Sequence, residues 1–121
     1  MLGDPDPMVE AQGAYGLSLL GSQAAPATSA LCNALRSDHA LVRENAAIAL
    51  GQIGPEARAA VPNLIEALRD KEWTVRRNAA LALGKMGADA RSAAGALGKL
   101  RRDPDHLVRK AAQEALPKVK S

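Results

Sequence analysis

Residues 41–57 read LVRENAAIALGQIGPEA, and 33 positions later residues 74–90 read TVRRNAALALGKMGADA. The same displacement aligns Val9, Val42, Val75 and Val108. Residues 37–69 and 70–102 share 14 identities in 33 positions, where unrelated segments share ~3, so the chain is built on an internal repeat. One unit of this length cannot cover its own apolar surface, and stability comes from stacking units against copies of themselves. The register divides residues 1–121 into a single domain of about three and a half units: a degenerate 4–36, then 37–69, 70–102 and a partial 103–121 that stops after its first half.

Inside a unit, Val42, Ala46, Ala49, Leu50 and Ile53 recur at helical spacing and predict an amphipathic helix A over 40–53. Gly54 ends it and Pro55 cannot continue it. Val61, Leu64, Ile65 and Leu68 make the inward stripe of a second helix, B, with Pro62 in its first turn. Each unit is therefore a helical hairpin, and small residues such as Ala46, Ala47, Ala79 and Ala80 let neighbouring A helices approach closely. In the third unit Arg101 stands where Leu68 stood, and Gly95 and Gly98 weaken the segment, so its helix B is expected to be rotated or frayed. Glu10, Tyr15 and Ser18 mark the first unit as an atypical terminal one.

Composition agrees with an all-α fold. The chain is 47% apolar yet has no Phe, one Trp and one Tyr, so Ala, Leu, Val and Ile build the core. A lone Cys32 gives no disulfide framework and no thiolate zinc cage, and points to a reducing compartment. No apolar run is long enough to span a membrane, and Asp4 and Asp6 stand where a signal peptide carries positive charge, so a cytoplasmic location is expected. The net charge of +3 is gathered toward the C-terminal end, at Lys99, Arg101, Arg102, Arg109, Lys110, Lys118 and Lys120.

The pattern VRxNAAxALGxxGxxA followed by VPNLIEALRD resembles the HEAT-like repeats, in particular the short repeats of phycobilisome lyases. The resemblance covers residues 4–121 and is clearest over 37–102. It implies a right-handed α-solenoid of stacked helical hairpins with A helices on the convex side and B helices on the concave, partner-binding side. It implies no particular reaction.

Several residues carry two readings. Arg43, Arg76 and Arg109 form a column that could track phosphates, or could bond the acidic or polar residues opening each unit, Asp4, Ser37 with Asp38, Asp70 and Asp103; the resemblance to HEAT-like repeats suggests the second, a structural ladder of Arg-Asp contacts between neighbouring units. Asn45 and Asn78 are poor helix formers and are expected to bond a loop of an adjacent unit. GQIG and GKMG match a nucleic-acid clamp in spacing only, and helix termination explains them. His39 and His106 lie in connections and neither precedes a Glu, unlike the iron-binding His-Glu pairs of the HEAT-like deoxyhypusine hydroxylases, so no metal site is expected. Cys32 aligns with Ile65 and is expected to face the core rather than act as a nucleophile. Asp4, Asp6, Asp103 and Asp105 flank prolines and suit helix capping.

No catalytic cluster, cofactor motif or metal set emerges, and the function expected is a non-enzymatic interaction or scaffold module. Its candidate partner-binding residues are Asn33, Asn63, Glu66, Lys99 and Arg102 on the outward side of the B helices, with Trp73 as an anchor in the connection DKEWTV. The partner expected is a protein or peptide held at roughly micromolar affinity or weaker, since the face has few aromatic anchors. The resemblance adds an alternative, an accessory subunit or chaperone of a bilin-lyase-like system. A basic nucleic-acid-binding solenoid is a further alternative; HEAT-like DNA glycosylases use aromatic and acidic residues in the concavity that this face lacks. The half unit at the end leaves its helix open to a larger repeat array or to a homodimer.

Overall fold

A computed structural model describes residues 28–120, and every regular element in them is helical. The order is α1 (Thr28–Ala34), α2 (Ala40–Ile53), a 3-10 segment (Gly54–Ala60), α3 (Val61–Ala67), α4 (Trp73–Met86), a second 3-10 segment (Gly87–Ala93), α5 (Ala94–Leu100) and α6 (His106–Lys120). The long A helices are α2, α4 and α6; the seven-residue B helices are α1, α3 and α5. Consecutive A helices pack side by side, and each B helix packs on the A helix that follows it. The expectations on Asp4, Asp6, Glu10, Tyr15 and Ser18 lie outside the described residues.

The repeated glycines explain how closely the layers sit. A Cβ built on Gly51 would lie 3.2 Å from Ala82 Cα, and one on Gly84 would lie 3.1 Å from Ala115 Cβ. Neighbouring A helices thus cross at glycine, flanked by fully buried Ala46, Ala47, Ala79 and Ala80. Gly54 and Gly87 serve differently: their φ of 77° and 64° turns the chain out of α2 and α4, and their N–H groups bond Leu50 O and Gly84 O. The expected turn is a 3-10 segment in each case, broken at Ala57 and Ala90 before the B helix starts.

The third unit is regular where fraying was expected. Helix α5 has the same seven-residue span as α3. Leu97 and Leu100 bury its inner face while Arg101 turns outward, so packing outweighs the weak propensity of Gly95 and Gly98.

Helix α6 differs from its predecessors on one side only. Val108, Ala111, Ala112, Ala115, Leu116 and Val119 are buried against the rest of the chain. Where α2 and α4 carry fully buried Ala47 and Ala80 and half-buried Ile48 and Leu81, α6 carries exposed Gln113 and Glu114. Pro117 occupies the register of Gly51 and Gly84, the crossing point for the next A helix. Its outer side therefore has the chemistry of a solvated face.

Candidate functional site

The two sides of each unit are organised by adjacent residues. At the end of each B helix the backbone closes with a four-residue turn: the N–H groups of Arg36, Arg69 and Arg102 bond Asn33 O, Glu66 O and Lys99 O at 3.0, 3.0 and 3.1 Å. The next residues, Ser37, Asp70 and Asp103, then turn toward the A helices. Arg43 Nε donates to Asp70 Oδ2 at 2.8 Å, Nη2 to Oδ1 at 3.2 Å, and Nη1 to Ser37 O at 2.8 Å. Arg76 repeats this with Asp103 at 2.9 and 3.2 Å and with Asp70 O at 2.8 Å. Arg109 Nη1 donates to Asp103 O and Pro104 O at 2.6 and 3.1 Å. The carboxylates also accept from the loop backbone, Asp70 from Glu72 N–H and Asp103 from Asp105 N–H, each at 2.9 Å. The column is therefore structural: Arg43 and Arg76 stitch their A helices to the loop before and to the loop opening the next unit, and Arg109 ties α6 to the loop before it. Asp105 caps α6, its Oδ1 accepting from Leu107 N–H at 2.8 Å and Val108 N–H at 3.2 Å.

Asn78 departs from expectation. Its Nδ2 donates to Thr74 O at 2.9 Å, one turn back on its own helix, rather than to a neighbouring loop. The bond satisfies a buried amide without a partner from another unit.

The B helices line two adjoining grooves. One, of about 510 Å³, runs between the end of α1 and α3 and is bounded by Leu35, Arg36, Asn63, Glu66, Arg69 and Asp70. The other, of about 630 Å³, lies between α3 and α5 and is bounded by Ile65, Leu68, Arg69, Ala96, Lys99 and Leu100. Arg69 borders both, so the two grooves adjoin at its side chain.

Asn63, Glu66 and Lys99 line these grooves. Asn33 is exposed on α1 and Arg102 is exposed just beyond α5. Trp73 is elsewhere: it is the first residue of α4, 39% exposed, over a separate cavity of about 300 Å³ shared with Lys71, Glu72, Arg76, Pro104 and Asp105. Ile65 and Cys32 are half-buried and pack against the core, as their register implied, without being fully enclosed by it. The inner face of a B helix this short is taken by Val61, Leu64, Ala67 and Leu68, which leaves that register at the seam with the groove. Burial pushes the Cys32 thiol up, with the Arg36 charge pulling the other way. His39 adjoins the start of α2 and His106 begins α6, and among the described residues no cluster of His, Cys, Asp or Glu could hold a metal ion.

Sequence reasoning passed over Arg36 and Arg69. The signal was present, because the 33-residue displacement that aligns Arg43 with Arg76 also aligns Arg36, Arg69 and Arg102. What it could not separate is which arginine column turns inward.

Stacked hairpins crossed by buried Arg-Asp rungs and flanked by a B-helix groove define an α-solenoid repeat protein. The chain belongs to the HEAT repeat family, whose model matches residues 28–117. Two crystal structures of engineered proteins are similar to it: one at TM-score 0.80 and 28% identity over 98% of this chain and 59% of that one, the other at TM-score 0.79 and 27% identity over 99% and 36%. A designed armadillo repeat protein in complex with the peptide (KR)4 has TM-score 0.81 at 22% identity over 98% of this chain and 61% of that one, a likeness of fold. The chain thus spans less than two thirds of the length of each of these structures. A comparison with curated proteins gives no match. Among the described residues no helix is long and apolar enough to cross a membrane.

Proposed function

We infer that the chain is a non-enzymatic interaction module that holds a protein or peptide segment along its B-helix face, the side that HEAT-like solenoids turn inward. The observation that carries this reading is the pair of grooves along α1, α3 and α5 that adjoin at Arg69. They have an aliphatic floor at Leu35, Ile65, Leu68 and Leu100 and polar walls at Asn63, Glu66, Arg69 and Lys99. A floor that removes apolar side chains from water, with a few polar groups to fix register, is what an extended segment needs. The designed armadillo protein in complex with (KR)4 shows a fold of this kind with a peptide partner. Trp73 has no part in this groove.

The test is selection of binders from a displayed random-peptide library on the intact chain, followed by Ile65→Arg. This variant places a charge on the groove floor at a half-buried position and should leave the helicity unchanged. Selected peptides are expected to compete with one another and to lose most of their affinity for the variant. Peptides that bind Ile65→Arg as well as the original chain, but lose binding to Trp73→Ala, would move the site to the α4 entrance and contradict the reading.

A further inference from the structure

Two arginine columns run through the same repeats and are treated oppositely. The ion pairs of the described residues join Arg43 to Asp70 and Arg76 to Asp103, all in the buried column. Arg36, Arg69 and Arg102 are exposed, occupy one backbone position three times over, and join no ion pair among the described residues. The B helices and the two residues after each carry Arg36, Arg69, Lys99, Arg101 and Arg102 against Glu66, and the second carboxylate bordering the groove, Asp70, is already paired with Arg43. Like charges held in line repel one another, and a solvated ladder of this kind is relieved by a ligand of opposite sign.

We propose that Arg36, Arg69 and Arg102 read the acidic side chains of an extended peptide lying in the B-helix groove, one Asp or Glu per arginine. The proposal rests on the groove reading above and names the chemistry of its partner. Packed helices sit about 8–10 Å apart and an extended chain advances about 3.3 Å per residue, so successive arginines meet about every third residue. The guanidinium fork suits a bidentate carboxylate. Residues between the acidic ones rest on Ile65, Leu68 and Leu100, and Asn63 supplies amide hydrogen bonds.

Glu66 argues for spaced acids over a uniform polyanion. A nucleic acid brings a phosphate at every step and gains from aromatic stacking. Among the described residues the lining of the two grooves includes the Glu66 carboxylate and no aromatic side chain. A basic peptide such as (KR)4 would meet like charge at each arginine.

The test is fluorescence anisotropy on the full chain with four labelled probes: a peptide of three Glu-Gly-Ser repeats, its Gln-Gly-Ser counterpart, (KR)4 and an oligothymidine. The Glu peptide is expected to bind, with affinity falling as salt rises, and the other three to bind at least about tenfold more weakly. The variant R36Q/R69Q/R102Q should weaken the Glu peptide by on the order of 100-fold, while R58Q/R91Q/K110Q, which removes equal charge from exposed positions away from the ladder, should change it by less than about twofold. Equal binding of the Gln peptide, preference for (KR)4 or oligothymidine, or equal losses in the two variants overturns the proposal. Library-selected peptides that lose binding to Ile65→Arg while the Glu peptide fails to bind would sink this chemistry and leave the groove reading standing. Failure of both would remove both.

Discussion

Gly84 and Gly98 show how one residue type does opposite work in one chain. A methyl group on Gly84 meets Ala115 at 3.1 Å to Cβ and 3.2 Å to Cα, so Gly84→Ala must push α4 and α6 apart. The expected loss is about 1–3 kcal/mol, from overpacking. Nothing lies within 4 Å of a methyl group on Gly98, and there Gly98→Ala should add about 1 kcal/mol through helix propensity alone. Thermal or urea unfolding of the two variants checks both signs. Cys32 gives a second test at this scale. Burial holds its thiol above the ordinary range and Arg36 opposes that, so iodoacetamide should label it more slowly than free cysteine at pH 8, with a rate midpoint at higher pH. Arg36→Gln removes the opposing charge and should move the midpoint higher still; an unchanged midpoint would place Arg36 away from the thiol.

At the scale of the element, the important contact joins a helix to the loop of the next unit. Arg43 and Asp70 have side chains only 9% and 12% exposed and share two hydrogen bonds. Asp70 also holds the backbone N–H of Glu72. Asp70→Asn leaves the buried guanidinium without its charge partner and should cost about 2–4 kcal/mol, whereas Asp89→Asn, exposed in the second 3-10 segment, should be within about 0.5 kcal/mol of neutral. The A helices and their glycine stops were legible in the sequence because apolar spacing and Gly54 mark them directly: 40–53 is the span of α2. The B helices were legible only in part. A seven-residue helix carries too few turns for periodicity to fix how deeply each residue is buried, which is why Ile65 and Cys32 pack on the core yet stay half-exposed, and why α5 read as frayed. Asn78 was misread for a related reason, since pattern shows that a buried amide needs a partner without showing that the partner is Thr74 of the same helix.

Across the whole molecule, the proposed reading separates folding from recognition. The A helices cross at Gly51 and Gly84, the rungs Arg43–Asp70 and Arg76–Asp103 tie the units, and α6 carries exposed Gln113, Glu114 and Pro117 in the register of that seam. That leaves the B-helix face with its grooves and its second arginine column free to meet a partner. Of the candidate residues, Asn63, Glu66 and Lys99 came together in the grooves; Trp73 did not, because the turn after Arg69 carries it to the start of α4. The most direct test of this division is an amide chemical-shift map of the chain titrated with the Glu-Gly-Ser peptide. The account predicts shifts confined to α1, α3 and α5 and the turns at Arg36, Arg69 and Arg102. Shifts concentrated on α2, α4 and α6, or around Trp73, would contradict it.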